Sequence, residues 1–148
     1  MIYLISTAIV VFVLYISYGT LFYGTRNSLS QLGLDWNRWL FMLMIWTITL
    51  LVLPKMFDMT PESLKFIVFI IGAGLLLTGG ASIADSDDVK YHMAGATIAC
   101  VSSLVWLCFM QPVVLMIPLV SVASGGIDKW QWNVEVGIII AVLLTLLL

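Results

Sequence analysis

Long apolar runs, each near the length of a membrane-spanning helix, make up most of this chain. Of its 148 residues, 62% are hydrophobic and only 9% are charged, whereas soluble domains carry roughly 25% charged residues. In a bilayer every backbone polar group must be paired internally, which leaves helices and closed barrels as spanning structures. Continuous runs of about 20 apolar residues favour helices, since barrel strands alternate over segments of about ten. The sequence therefore predicts an all-α membrane protein with a single transmembrane domain over residues 1–148.

Charge and cysteine content narrow the class further. A net charge of −2 with six basic residues excludes a nucleic-acid-binding surface. Cys100 and Cys108 lie eight positions apart on one predicted helix, a separation of about 12 Å that excludes a disulfide between them. No Lys or Arg precedes Ile2, so we expect the first apolar run to be a retained helix rather than a signal peptide.

Six helices are predicted to form a compact bundle, and the fifth is the least regular of them. Its residues, 113–123, are few and contain Pro118, so the segment is either a short span or a re-entrant hairpin. Pro54 is expected to kink or end the second helix, and Thr60 to cap the N-terminus of the third. Residues 24–37 are expected to be a polar loop. The six predicted helices are 2–23, 38–57, 61–84, 89–110, 113–123 and 130–148.

The distribution of basic residues favours six crossings with both termini outside. In that topology four basic residues are cytoplasmic and two are not, whereas a re-entrant fifth segment leaves three on each side. Cytoplasmic loops carry an excess of Lys and Arg, which supports the first arrangement. The four cytoplasmic residues are Arg26, Arg38, Lys90 and Lys129, and the other two are Lys55 and Lys65.

Small residues mark the place where two helices are expected to pack most closely. Gly95, Ala99 and Ser103 recur every four residues on one stripe of the fourth predicted helix, and the third carries Gly74 and Gly79. Small side chains let helix backbones approach each other in lipid, so these two helices should form a tight hairpin. A substrate path lined by glycines is the alternative interpretation.

Glu135 lies within the last apolar run, where a carboxylate is costly unless it is protonated, paired or hydrated. Six crossings would bring loops 24–37, 85–90 and 124–129 to one face of the bundle, close to Glu135 and to His92, the one histidine of the chain. We therefore expect a polar mouth that binds a ligand on this face. The predicted ligand-binding residues are Glu135, His92, Arg38 and Arg26.

Other interpretations of these polar residues stay open at this point. Glu135 could carry a proton or an ion, or it could be a structural anchor near a helix N-terminus. Arg26 and Arg38, together with the hydroxyls of Ser28 and Ser30, could hold a lipid phosphate. Ordinary positive-inside topology also accounts for both arginines.

A metal site is the alternative that would make the protein an enzyme. Asp88 and His92 are four positions apart and share one side of a helix. With Glu135, and with Asp85 nearby, they would supply carboxylate and imidazole ligands suited to zinc or manganese. Such a metal would activate water against a lipid ester or amide. One histidine without a second histidine or a cysteine pair is a weak metal pattern, so no cofactor is expected.

Five short elements occur in order along the chain: Ser-x-Ser, Arg-Trp-Leu-Phe, Gly-Gly-Ala, His-x-x-Gly-Ala and Trp-x-x-Glu. Their order resembles that of small bacterial multi-pass membrane proteins to which no function is attached. The second-last of them, His-x-x-Gly-Ala, is also similar to an element of the DRAM-like group of six-helix proteins. The resemblance implies a six-helix bundle in the bacterial cytoplasmic membrane and directs attention to His92 and Glu135, without implying a reaction or a substrate. The elements occupy residues 28–30, 38–41, 79–81, 92–96 and 132–135.

These patterns favour a binding or transport protein over an enzyme. We expect it to bind or translocate a small ligand, a proton or a lipid through the polar mouth around His92 and Glu135. A membrane-embedded metal-dependent hydrolase and a structural or accessory membrane subunit are the alternatives. Membrane lipids are the expected partners, with a homo-oligomer or a partner membrane protein as a further possibility for so short a chain.

Overall fold

Helices account for nearly all of the chain in the computed structural model. It describes residues 2–81, 88–125 and 129–148, and the side chains of all of these except 34–36, 124 and 125. Within those ranges the chain is 91% helical and has no strand, which confirms the all-α prediction. The helices are α1 (Ile2–Tyr23), α2 (Leu29–Trp36), α3 (Arg38–Met59), α4 (Lys65–Gly80), α5 (Val89–Met110), α6 (Met116–Gly125) and α7 (Trp130–Leu147), with 3-10 turns at Glu62–Leu64 and Pro112–Leu115.

Five helical segments of the described part of the chain are long and apolar enough to cross a membrane. They include α1, α3, α5 and α7 whole, and α4 together with the 3-10 turn before it, Glu62–Gly80. Large apolar side chains point outward from them, as Phe69 does with 70% of its surface exposed. Such an outer surface suits lipid and not water. The segment Pro112–Ala123 is apolar but shorter than these five.

Helices α4 and α5 form the closest helix pair in the bundle. A Cβ built on Gly74 would lie 2.8 Å from the Ala99 nitrogen, and one built on Gly95 would lie 2.8 Å from the Gly74 oxygen. Backbones this close exclude any side chain larger than hydrogen at either glycine. Gly95, Ala99 and Ser103 are all buried, so the predicted tight hairpin is confirmed.

Residues 111–129 connect opposite ends of the bundle. Near the end of α5, the Trp106 Nε1–H donates to Thr60 Oγ1 at 2.8 Å, beside the end of α3. At the start of α7, the Trp132 N–H donates to the Asn27 carbonyl at 2.9 Å, in the connection between α1 and α2. Helix α6 therefore runs back along α7, and Gly137 of α7 lies against Pro118 of α6. A Cβ built on Gly137 would be only 2.7 Å from the Pro118 Cα, so no side chain fits there.

The segment 24–37 is not wholly a loop, because it contains α2. Ser28 is the N-cap of α2, and its Oγ accepts from the Gln31 N–H at 3.2 Å. Gln31 Oε1 in turn accepts from the Asn27 N–H at 3.2 Å, in a variant of the capping box. Leu29 and Leu32 are buried. Burial of this short apolar face against α1 and α3 stabilises a helix too brief to form alone.

Two predicted helix ends are wrong, and Pro54 does not end the second predicted helix. Helix α3 continues through Pro54 to Met59. Thr60 does not cap the third predicted helix: it ends α3, and its hydroxyl donates back to the Met56 carbonyl while accepting from Trp106. Helix α4 ends at Gly80, not at residue 84, because Ala81 has an extended backbone.

Candidate functional site

Helix α2 carries the polar groups that meet at one end of the bundle. It can lie close to its neighbours because Gly19 faces Leu32 and Gly33 faces Phe41, each without space for a Cβ. Ser28 satisfies one N–H of the first turn through its hydroxyl. The first four N–H groups of a helix lack intrahelical partners, so the remaining donors of α2 are available to other elements.

Glu135 is hydrogen-bonded to the N-terminus of α2. Its Oε2 accepts from the Leu29 N–H at 2.8 Å, which joins α7 to α2 across 106 positions of sequence. A carboxylate near a helix N-terminus is favoured by the positive end of the helix dipole. The anchor interpretation is thus supported in an altered form, because the helix that Glu135 caps is α2 and not its own.

His92 connects α5 to α2 and to the end of α4. Its Nε2 lies 2.7 Å from Ser30 Oγ, and its Nδ1 lies 3.1 Å from the Ala81 carbonyl oxygen. A carbonyl only accepts, so Nδ1 carries the proton of the neutral ring and Nε2 accepts from the serine hydroxyl. The ring also faces Phe41, with centroids 6.1 Å apart. Only 3% of the His92 surface is exposed.

An apolar cavity of about 90 Å³ opens between α3, α4, α5 and α7 and reaches this polar end. Along α3 its lining runs from Phe41 to Met56, about 22 Å at 1.5 Å per residue. A single water needs only about 10–15 Å³ of such space, so the cavity is large enough for a chain of several heavy atoms. Ser30 and Glu135 are both part of its lining.

The walls of the cavity beyond that end offer few free polar groups. Thr49 and Thr78 line it, but their hydroxyls donate to carbonyls of their own helices, Ile45 and Gly74, each at 2.7 Å. Cys100, whose surroundings the sequence did not predict, lines it as well. The cavity is therefore amphipathic along its length: of the described residues that line it, the one charged group, Glu135, lies at the end with Ser30, and most of the remaining lining is hydrocarbon, with Ser103 as a further hydroxyl.

The two arginines lie outside this cavity. Arg38 is exposed, with its guanidinium 5.3 Å from the centre of the Trp39 ring. Arg26 is half-buried near the end of α1. Neither is among the described residues that line the cavity. A ligand-binding role for Arg26 and Arg38 stays a prediction.

The residues of the alternative metal site do not gather into a cluster within the described ranges. Across the described ranges no three His, Cys, Asp or Glu side chains converge as metal ligands, and Asp88, His92 and Glu135 all fall within those ranges. Both ring nitrogens of His92 are already engaged, by Ser30 and by Ala81. Asp88 meets His92 through the backbone, where its carbonyl accepts from the His92 N–H at 2.9 Å. Asp85 lies outside the described residues, as do Asp87 and Asp128 of the predicted polar face.

The contact between Ser30 and His92 is the feature that sequence reasoning missed. Ser30 was considered only as part of a phosphate-binding loop. The spacing of Ser28 and Gln31 is a capping pattern that could have predicted α2, and with it the placement of Ser30 in a helical first turn. No local pattern indicates that this turn meets α5.

Comparisons with protein-family models, curated proteins and solved structures found no match to this chain. Its resemblance to small bacterial six-helix membrane proteins stays a prediction. The functional interpretation rests on the chemistry of the cavity and its polar end.

Proposed function

We propose that this protein is a six-crossing bundle of the bacterial cytoplasmic membrane that binds a single-chain, lipid-like ligand. The ligand would place its hydrocarbon chain between α3, α4, α5 and α7 and its polar head beside Ser30 and Glu135. One observation carries the proposal: an apolar cavity of about 90 Å³ ends at a serine hydroxyl and a carboxylate.

The connection between α5 and α7 supports the sixth crossing. Helix α5 ends beside Thr60, and α7 begins beside Asn27 at the other end of the bundle. A chain that joins these two ends would traverse the apolar thickness, which supports a sixth crossing. Together the 3-10 turn and α6 cover residues 112–125, which extend for about 20–25 Å at helical rises of 1.5–2.0 Å per residue.

The polar end would select the ligand. A hydrocarbon chain gains little when it leaves lipid for an apolar cavity, because both surroundings are equally free of water. Hydrogen bonds to the head group would then decide which molecule is bound. Ser30 and Glu135 together offer acceptors, which suits a head that donates, such as an alcohol or an amide.

A structural role for the polar residues is the second candidate. The hydrogen bond from the Leu29 N–H to Glu135 favours it, since this contact ties α7 to α2 without any ligand. The two candidates differ in one measurable property, which is whether the cavity is occupied.

Photolabelling of the purified protein in lipid nanodiscs tests this proposal. The probe is a long-chain alcohol that carries a diazirine, and labelled positions are mapped by mass spectrometry. Ala96 lines the cavity, whereas Ala94 on the same helix is exposed. We expect Ala96→Leu to reduce labelling of residues that line the cavity several-fold and Ala94→Leu to leave it unchanged. Labelling confined to the outer surface, or equal loss in both variants, would contradict the proposal and favour the structural role.

A further inference from the structure

We propose that Ser30 and His92 form a nucleophile–base pair that cleaves the acyl ester of a lipid-like molecule held in the cavity. The inference rests on the proposed function, because the cavity must first admit such a chain. It adds a reaction to that site and names its substrate class, a long-chain ester whose alcohol part keeps a free hydroxyl as the donor that the acceptors at this end suit.

The serine–histidine geometry is that of an activated nucleophile. Ser30 Oγ and His92 Nε2 are 2.7 Å apart, within the hydrogen-bond reach that proton transfer requires. The Ala81 carbonyl accepts from Nδ1 at 3.1 Å and so holds the ring with Nε2 toward the hydroxyl. A base that is itself oriented by a third group is the arrangement common to serine and cysteine hydrolases on unrelated folds.

The order of these groups relative to the cavity also fits the reaction. Ser30 lines the cavity, whereas His92 is not among the described residues that line it. Ser30 is therefore adjacent both to the base and to the space for substrate. Both side chains are largely shielded, with 8% of Ser30 and 3% of His92 exposed, so few waters compete for the proton.

The first turn of α2 offers a donor for the oxyanion. Glu135 accepts from the Leu29 N–H, and Ser28 Oγ accepts from the Gln31 N–H. The N–H of Ser30 lies between these two in sequence, and neither of the two contacts uses it. A backbone N–H beside the nucleophile stabilises the negative charge that develops on the substrate oxygen. Glu135 acts here as a positioning residue, through its hold on Leu29.

The proposed reaction proceeds in two steps, with water as the second reactant. Ser30 Oγ attacks the ester carbonyl carbon and its proton passes to His92 Nε2. The C–O bond to the alcohol breaks, and the alcohol leaves with that proton, so Ser30 is acylated. Water then attacks the acyl carbon, gives a proton to Nε2, and the carboxylic acid leaves as Ser30 Oγ regains the proton. Atoms and charge balance as ester plus water giving acid plus alcohol.

A fluorophosphonate with a long alkyl chain tests the pair directly, because its phosphorus is attacked only by an activated serine. The protein in nanodiscs is labelled at neutral pH and the modified residue is mapped by mass spectrometry. We expect the label on Ser30 and no label in Ser30→Ala. In His92→Gln the labelling rate should fall by at least about 100-fold, as expected for loss of a general base. Ser102→Ala is the matched control, since Ser102 lies on α5 and its hydroxyl donates to the Ile98 carbonyl; its labelling should equal that of the unmodified protein.

A thiol version keeps the test decisive where Ser30→Ala fails to fold. In a Cys100→Ala, Cys108→Ala background, Ser30→Cys is exposed to an apolar iodoacetamide, and the alkylation rate is compared with and without His92→Gln. A rate that depends on His92 supports the pair, and equal rates overturn it. Diazirine photolabelling of the same preparation separates the two proposals. If the cavity is photolabelled but the fluorophosphonate does not react, only the proposed Ser30–His92 pair is overturned. If the cavity is not photolabelled, the proposed ligand binding is overturned as well.

Discussion

Glu135 Oε2 accepts a hydrogen bond from the Leu29 N–H at 2.8 Å, so the most costly acid of the apolar runs caps a helix that precedes it by 106 positions. The contact links α7 to α2 at the end of the bundle where Ser30 meets His92. Stability and site geometry should therefore depend on the same carboxylate.

Substitution of Glu135 separates its role as an acceptor from its charge. Glu135→Gln keeps an oxygen that can accept from Leu29, whereas Glu135→Ala leaves that buried donor without a partner. We expect Glu135→Ala to lower the free energy of unfolding by about 1–3 kcal/mol and Glu135→Gln by clearly less. Thermal unfolding in detergent measures both. Glu62, of which 88% of the side-chain surface is exposed, provides the control Glu62→Gln, which should be nearly neutral.

The N-cap of α2 should matter in the same way. Ser28→Ala removes the acceptor for the Gln31 N–H, a loss expected to destabilise by about 1 kcal/mol. Because α2 carries Ser30, diazirine photolabelling of the cavity should decrease along with thermal stability. Ser63→Ala, on an exposed serine of the 3-10 turn before α4, is the control and should alter neither measurement. An unchanged unfolding midpoint in Ser28→Ala would mean that α2 is held by its tertiary contacts alone.

The same substitution on α4, glycine to alanine, should have different effects at Gly74 and at Gly80. A Cβ at Gly74 would collide with backbone atoms of Ala99 and Gly95 at 2.8–2.9 Å, and these atoms cannot move independently. We expect Gly74→Ala to force α4 and α5 apart and to cost about 2 kcal/mol or more. At Gly80 the nearest atom is Trp46 Cζ2 at 3.7 Å, an ordinary contact. Gly80→Ala should be tolerated, and unfolding midpoints that change equally in both variants would contradict the close packing.

The hydrogen bond between Trp106 and Thr60 should stabilise the opposite end of the bundle. Trp106→Phe removes the buried Nε1–H that donates to Thr60 at 2.8 Å and leaves a gap beside the ring. We expect a loss of about 2 kcal/mol or more, since the change combines a lost hydrogen bond with lost packing. Trp39, with 59% of its surface exposed, serves as the control. Trp39→Phe should change the unfolding midpoint little, so equal shifts in both variants would argue against the buried contact.

Hydropathy predicted the long helices well because the length and apolar composition of a segment are local properties that are sufficient to indicate a membrane-spanning helix. The predicted limits 2–23 and 89–110 agree with α1 and α5, and the last helix begins at Trp130 as predicted. Helix α2 was missed for the opposite reason. It is short and mixed in composition, and it is stabilised by contacts that lie far away in sequence, such as Glu135 on Leu29.

The candidate site was predictable only in part. His92 and Glu135 are conspicuous in sequence because polar groups are rare in such runs, and Glu135 does line the cavity. The partners of these side chains could not be inferred, because a hydroxyl, a backbone carbonyl and an N–H are available at many places along any helix. Proximity in sequence also suggested a wrong contact. Asp88 lies one helical turn from His92, but its carbonyl accepts from the His92 backbone N–H, and the two residues do not belong to a metal-ligand cluster in the described ranges.

The sequence by itself determined that this protein is helical and that five of its segments are apolar enough to cross a membrane, because composition and run length act locally. Only the tertiary structure decided which polar groups meet. Ser30 and His92 are 62 positions apart and are joined because α2 lies across the end of the bundle, where glycines let it approach α1 and α3. The physical reason is that lateral packing depends on shape at helix surfaces, which hydropathy does not encode.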